Sequence, residues 1–125
     1  MAKRIRIKAG RIEMSAELNE SKTASLIWDA LPLKAKVNTW GEEIYFSIPV
    51  KAELDDPKEV VEKGDLGYWP QGPAFCIFFG PTPISKGEEI RPASGVNLVG
   101  RLLGDSQGFK KVSPGERIIL EKEEE

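Results

Sequence analysis

Few residues of this chain could carry out chemistry, because the sequence contains no histidine and a single cysteine, Cys76. Catalysis by Ser-His-Asp or Cys-His groups is therefore excluded, as are histidine-ligated metals, sites with several thiolates and a disulfide within the chain. Acid–base chemistry is left to carboxylates, Lys, Tyr and Ser/Thr. Cys76 lies within the apolar run 74–79 and is predicted to be a small buried side chain rather than a nucleophile. We expect no metal and no cofactor.

The main candidates for ligand binding are aromatic side chains near one carboxylate. In the predicted strand 43–48, Glu43 and Tyr45 share the face opposite the apolar one, because side chains alternate along a strand. An aromatic cluster with a polar group and a carboxylate suits a peptide or a small organic ligand. Alternatively, the rings fill the core and Glu43 pairs with Lys36 across a hairpin. Four more aromatic candidates lie on segments predicted to neighbour this strand: Trp40, Tyr68, Trp69 and Phe79.

Two polar residues complete the set of candidate binding residues. Thr82 stands between two prolines, and Asn97 faces away from its apolar neighbours in a predicted strand. Each side chain either bonds a ligand or serves its own segment. Asp65, next to Gly64, is expected to bond backbone amides in its turn. The sequence does not fix the distance between Asp65 and Glu43, so a hydrolase with paired carboxylates is not predicted.

The patterning of the chain predicts one domain, 1–125, made mainly of β-strands. Alternating apolar residues predict a strand pair over 4–8 and 12–18. The period then becomes helical, with Ser21 as the cap and Pro32 as the stop, which predicts one short amphipathic helix. Further strands are predicted at 34–40, 43–48, 65–69, 74–80, 96–103 and 117–120. About eight short strands separated by frequent turns favour a closed β-barrel or a β-sandwich over a parallel sheet.

The other segments are predicted to be loops. The charged segment 55–64 is expected to form a loop with a single helical turn at 57–62. Three prolines mark 81–95 as an irregular connection, and a short turn is expected around 106–112. The like charges of 121–125 predict a frayed acidic tail.

Charge and hydropathy narrow the classes of partner. The net charge is −2 and no basic stripe is interleaved with aromatic residues, so nucleic-acid binding is not expected. The basic residues near the start alternate with Ile5 and Ile7, which is typical of the solvent-facing side of a strand. No run approaches the ~18 apolar residues of a membrane span, so no membrane association is expected. The cytoplasm is the expected location, and the oligomeric state is left open.

Several segments resemble the cyclophilins. Residues 10–12 and 22–24 (Lys-Thr-Ala) are similar to their opening strand pair and helix, and 96–102 is similar to a segment near their end. Phe78-Phe79 is similar to their Gln-Phe-Phe pair. A small prokaryotic cyclophilin-like family of unassigned function is a closer resemblance, which covers nearly the whole chain. It rests on the middle segments 40–46, 64–69 and 78–83. Both resemblances imply a cyclophilin-like barrel of about eight strands capped by helical elements.

The cyclophilin resemblance implies prolyl isomerisation, yet the residues that perform it in that family are missing. Cyclophilins use an Arg, in a Phe-His-Arg-Ile strand, whose planar guanidinium binds the substrate and polarises the prolyl nitrogen. This sequence has no Arg between Arg11 and Arg91. Gln71-Gly72 is similar to part of their Gln-Gly-Gly segment, which a simple turn explains equally well.

Three functions therefore stand open. The first is a binding protein for a peptide or small molecule, built on a cyclophilin-like barrel without the usual catalytic Arg. The second is an atypical peptidyl-prolyl cis-trans isomerase, and the third is an accessory or interaction domain of a larger complex. We favour the first, because the sequence contains the aromatic candidates and Glu43 but lacks the catalytic Arg of the cyclophilins.

Overall fold

The computed structural model describes residues 3–123, which form one antiparallel sheet with a single α-helix. The sheet order is β3-β9-β1-β2-β8-β6-β7-β5-β4. A 3₁₀ helix, Ser106–Lys111, precedes the last strand. The elements in chain order are β1 (Lys3–Ala9), β2 (Ile12–Leu18), α1 (Lys22–Ala30), β3 (Leu33–Lys36), β4 (Asn38–Thr39), β5 (Glu43–Ser47), β6 (Asp65–Trp69), β7 (Ala74–Phe78), β8 (Asn97–Leu102) and β9 (Arg117–Lys122).

The two edges of the sheet are consecutive in the chain, which gives a nearly closed barrel. Strand β3 pairs with β9 and β4 pairs with β5, and only Val37 separates them. The Val37 N–H donates to the Glu116 carbonyl (2.9 Å), and the Val37 carbonyl accepts from the Gly115 N–H (2.8 Å). Because Val37 bonds the turn before β9, the chain changes partners there. Residues 3–123 therefore form nine strands rather than the predicted eight, since the predicted strand 34–40 is two strands.

The opening strand pair forms as predicted. Ile5 and Ile7 are buried, and the basic residues that alternate with them lie on the outer face. That face carries ion pairs with carboxylates of neighbouring strands, such as Lys8 Nζ to Glu121 Oε1 at 2.8 Å. Strand β9 continues through Lys122, and the Glu123 N–H donates to the Arg4 carbonyl at 3.0 Å. The predicted fraying is therefore wrong for 121–123, and residues 124–125 lie outside the described part.

Helix α1 also forms where the sequence predicts it. The Ser21 side chain accepts a hydrogen bond from the Ala24 N–H at 3.2 Å, which satisfies one of the free donors of the first turn. Ala24 and Ile27 are buried and join the main core, so the helix covers part of the sheet. Trp28, on the same helix, lies beneath the ammonium groups of Lys3 and Lys122. No helix within residues 3–123 has the length and apolarity needed to cross a membrane.

The apolar residues form two clusters, one on each side of β7. All five β7 residues are buried, as the unbroken apolar run predicts. The main core includes Phe75 and Ile77, whereas Cys76 and Phe78 belong to a smaller cluster on the opposite face. We call this second group the outer cluster: Val61, Cys76, Phe78, Ile90 and Val96, with Tyr45, Trp69 and Leu98 packed against it.

The connections around the outer cluster are held by isolated backbone pairs. The predicted helical turn at 57–62 is absent from the described chain, and two antiparallel bridges occupy this segment instead. Lys58 pairs with Val96 and Val61 pairs with Ile90, so the charged loop is fastened at two points, to the Pro-rich connection and to the residue before β8. These bridges satisfy backbone groups that a helical turn would leave unpaired. The connection 81–95 consequently packs against the outer face of the sheet.

Candidate ligand-binding site

A cavity of about 260 Å³ opens beside the outer cluster, on the outer face of the barrel. Its lining is almost entirely apolar or aromatic, and one carboxyl group is the exception. We call it the aromatic pocket. Its lining residues are Trp40, Glu43, Tyr45, Trp69, Cys76, Pro92, Ala93 and Val96.

Strands β5, β6 and β7 form the floor of the aromatic pocket. Tyr45 is in register with Cys76, and Cys76 is in register with Gly67 on the other side. A Cβ at Gly67 would lie 3.1 Å from Val96 Cγ2, which is tighter than an ordinary van der Waals contact. The missing side chain at Gly67 therefore lets Val96 pack closely against the sheet. Since residues two apart share a face, Glu43 joins Tyr45 on the pocket side of β5.

Trp40 reaches the pocket through the tight turn between β4 and β5. The Trp40 N–H donates to the Glu43 carbonyl at 2.9 Å, and Gly41 takes φ +62°, a conformation that favours glycine. A Cβ at Gly41 would also come within 2.8 Å of Pro83 Cδ. The turn therefore packs directly on the Pro-rich connection, which fixes where Trp40 stands.

The wall opposite the strands is the end of the Pro-rich connection. Ser94 Oγ accepts a hydrogen bond of 2.6 Å from the Trp69 indole Nε1, which fixes the edge of that ring. Thr82 Oγ1 donates to the Arg91 carbonyl, and Ser85 Oγ accepts from the backbone N–H of Thr82 at 2.9 Å. These bonds hold the loop that delivers Pro92 and Ala93 to the pocket.

Glu43 is the unusual group of the site, because its carboxyl is buried without an ionic partner. The residue is 6% exposed, and its Oε1 makes no hydrogen bond within the described residues. Burial raises the pKa of Glu43 to about 7, against an ordinary value of 4.5, and a hydrogen bond with the Cys76 thiol opposes this only partly. Burial and the nearby carboxylate raise the pKa of Cys76 well above its usual range, so the thiol stays protonated and is a weak nucleophile.

The predicted ion pair between Glu43 and Lys36 is wrong. Lys36 lies on β3 in register with Arg117, whereas Glu43 begins β5 and is in register with Phe78. Because the strand breaks at Val37, Lys36 lies on the edge strand β3, at the other end of the strand order from β5. No Lys or Arg lines the aromatic pocket among residues 3–123, so the pocket carries only the potential negative charge of Glu43.

Comparison with known proteins agrees with this architecture. The sequence model of the family described as Cyclophilin-like matches residues 3–121. The chain belongs to the cyclophilin-like family. The solution structure of a hypothetical protein from Archaeoglobus fulgidus is 44% identical, with a TM-score of 0.84, over 98% of this chain and 95% of that one. No curated protein matches this cyclophilin-like chain.

The structure brings half of the predicted site residues of this cyclophilin-like chain together. Trp40, Glu43, Tyr45 and Trp69 all line the aromatic pocket. Tyr68 and Phe79 belong to the main core, where Phe79 packs near Phe109 with ring centroids 6.4 Å apart. Thr82 bonds its own loop, one of the alternatives that the sequence left open. Asp65 Oδ2 accepts from the Glu62 N–H at 2.9 Å, as its turn predicts.

Asn97 lies outside the pocket and joins three segments. It is 2% exposed. Its Oδ1 accepts from the Asp55 N–H at 2.8 Å, and its Nδ2 donates to Thr23 Oγ1 at 3.0 Å and to the Glu53 carbonyl at 2.9 Å. The amide thereby fastens β8 to helix α1 and to the loop after β5, and these contacts use most of its bonding capacity.

Four lining residues are absent from the sequence-based candidates: Cys76, Pro92, Ala93 and Val96. The sequence did contain a signal for Cys76. In an apolar run that is covered on both sides, alternate side chains pack on opposite faces of the sheet, so some of them must lie on the outer face. Which face Cys76 takes depends on its register with Tyr45, which follows from nonlocal pairing. No local pattern predicts that Pro92 and Ala93 fold back over the sheet. Within residues 3–123, no cluster of three or more Cys, Asp or Glu side chains is placed to hold a metal ion.

Tyr68 provides a test of the core next to the pocket. Its hydroxyl donates to the Val50 carbonyl at 2.7 Å and accepts from the Ala52 N–H at 3.1 Å. We expect Tyr68→Phe to lower the free energy of unfolding by about 1–2 kcal/mol, because it leaves two backbone groups without a partner. Urea denaturation measures this loss. Tyr45→Phe is the matched control and should change stability by less than about 0.5 kcal/mol; equal losses in both variants would refute the assignment.

Proposed function

We propose that this cyclophilin-like protein binds a ligand, one compact group of which enters the aromatic pocket. The volume of about 260 Å³ is slightly below the ~300–1,000 Å³ typical of ligand pockets. The pocket thus suits the head of a small molecule, or one side chain of a peptide, rather than a large planar compound. Aromatic rings around a single polar group are the usual composition of such a site.

One observation carries the proposal: the buried carboxyl of Glu43, whose Oε1 has no hydrogen-bond partner, in an otherwise apolar pocket. Buried polar groups normally have hydrogen-bond partners, and an exception needs an explanation. A fold that only needed to fill this space could place an apolar residue at position 43 at lower cost. Perturbed carboxyl groups of this kind concentrate at functional sites, which favours a role in binding over a role in packing.

The three tryptophans allow a direct test with an internal control. Trp40 and Trp69 line the pocket, whereas Trp28 lies on helix α1 beneath two lysines. We expect some members of a library of cationic, neutral and anionic fragments to shift the indole N–H signals of Trp40 and Trp69 in ¹H–¹⁵N NMR spectra. These shifts should saturate and the Trp28 signal should stay in place. A library that moves all three signals alike, or none, would contradict the proposal.

Prolyl isomerisation has less support than ligand binding. The cyclophilin mechanism needs a cation at the substrate carbonyl, and the chargeable group that lines the pocket beside Tyr45 and Cys76 is the acid Glu43. A role as an accessory domain also has less support, because the exposed large apolar side chains belong to separate segments: Leu26, Leu54, Val60, Ile84 and Leu103.

A further inference from the structure

The ligand class is the next question, and this inference rests on the proposed function. We infer that the aromatic pocket receives the methylated ammonium head of an organic cation, held by Trp40, Tyr45 and Trp69 beside the Glu43 carboxylate. Rings of this kind attract cations through the negative potential of their faces, and quaternary ammonium groups are recognised in this way.

The ring arrangement supports a cation rather than further packing. The described aromatic pairs, Phe46 with Phe75 and Phe79 with Phe109, involve none of the three pocket rings. Within residues 3–123, the described cation–π contacts both fall on Trp28, so no Lys or Arg occupies the pocket rings. All three side chains are half-buried and line the pocket, so each keeps an exposed part that a cation from outside can contact.

The Glu43 carboxyl group determines which ligand charge the pocket favours and which type of cation binds there. A buried carboxylate repels anions and attracts a cation strongly, because the surrounding apolar groups screen its charge less than water does. Its Oε1 is buried and unpartnered, so it acts through its charge rather than as an exposed hydrogen-bond acceptor. A primary ammonium needs several acceptors to replace its water, and the pocket offers few. A methylated ammonium loses less on leaving water, and its methyl groups suit the apolar wall formed by Pro92 and Val96.

Protonation of Glu43 gives the binding a characteristic pH dependence. The other titratable groups that line the pocket are the Tyr45 phenol on β5 and the Cys76 thiol on β7. The lining residues of the opposite wall, Pro92, Ala93 and Val96, have no titratable side chain. Arg91, just before that wall, is bonded to Glu89 at 2.7 Å. Because the pKa of Glu43 is about 7, its ionised fraction rises about tenfold between pH 6 and pH 8. Since the protonated acid should still bind a cation, about tenfold more weakly, the affinity should rise about fivefold over the same interval.

The test compares choline with 3,3-dimethylbutan-1-ol, which has nearly the same shape and no charge. We expect choline to bind at least about tenfold more tightly at pH 8, measured by the indole signals of Trp40 and Trp69. Glu43→Gln should reduce choline affinity about tenfold, remove its pH dependence and leave the binding of the neutral alcohol unchanged. Trp40→Leu should weaken choline binding, and Trp28→Phe is the control that should not.

The outcomes separate this inference from the proposed function. If the neutral alcohol binds as tightly as choline, or if Glu43→Gln leaves the preference intact, the inference is overturned while the pocket stands as a binding site. If neither compound binds and the fragment library also fails, the proposed function falls with it. A short peptide bearing trimethyllysine tests the source of the head: binding tighter than choline indicates a peptide ligand, and weaker binding indicates a free small molecule.

Discussion

Replacing Glu43 with glutamine should make the protein more stable at pH 8, by about 3 kcal/mol, and leave its stability nearly unchanged at pH 4. The reason is that the pKa of Glu43 rises from 4.5 to about 7 when burial removes its carboxyl from water. Each pKa unit corresponds to about 1.4 kcal/mol between the two protonation states. A glutamine side chain has nearly the shape of the protonated acid and cannot ionise, so the variant avoids the cost of a buried charge.

The sign follows from the number of protons that each state binds. Between pH 4.5 and pH 7 the unfolded chain releases the Glu43 proton while the folded protein retains it, so raising the pH favours unfolding. Below pH 4.5 both states are protonated and the cost is absent. Above pH 7 both states are ionised and the whole cost remains. The difference between the wild type and the variant should therefore grow through this interval and then level off.

Urea denaturation at a series of pH values from 4 to 9 measures this difference. Glu53→Gln is the matched control, because Glu53 is an exposed carboxylate that lines none of the pocket. The control should change the free energy of unfolding by less than about 0.5 kcal/mol at every pH. A stability difference for Glu43→Gln that is the same at pH 4 and pH 9 would show that Glu43 does not ionise in a buried position.

The local features of the fold could be predicted from the sequence because they depend on short-range patterns. Alternation placed Ile5 and Ile7 on the buried face of β1 and the basic residues that alternate with them outside. The cap at Ser21 and the stop at Pro32 bounded the helix. Alternation along β5 also placed Glu43 and Tyr45 on the face that borders the pocket.

Features that depend on long-range pairing could not be predicted in the same way. The break at Val37 comes from its bonds to residues 115 and 116, far along the chain, so the sequence suggested one strand. The register of β5 with β7 determines that Cys76 reaches the pocket, and no local pattern encodes it. Asn97 does face away from the outer cluster, which holds Val96 and Leu98. The sequence could not indicate that Thr23 and Glu53 lie on that side and bond its amide.

Those bonds make Asn97→Ala the most destabilising single substitution that we predict at neutral pH. The change removes three hydrogen bonds at once and leaves the Thr23 hydroxyl, the Glu53 carbonyl and the Asp55 N–H without their partner. Each such loss costs about 1 kcal/mol or more, so we expect a total of about 3 kcal/mol. For a chain of this length, the melting temperature should fall by about 10 °C.

Asn38→Ala, on the exposed strand β4, is the matched control and should shift the melting temperature by no more than about 2 °C. Calorimetry measures both variants, and equal shifts would contradict a structural role for Asn97. A second readout separates that role from ligand contact. Because Asn97 lies outside the aromatic pocket, the Asn97→Ala protein should bind choline or any fragment hit with unchanged affinity. The affinity is measured at a temperature well below the melting temperature of the variant. A stable Asn97→Ala protein that had lost binding would instead assign the amide to the ligand site.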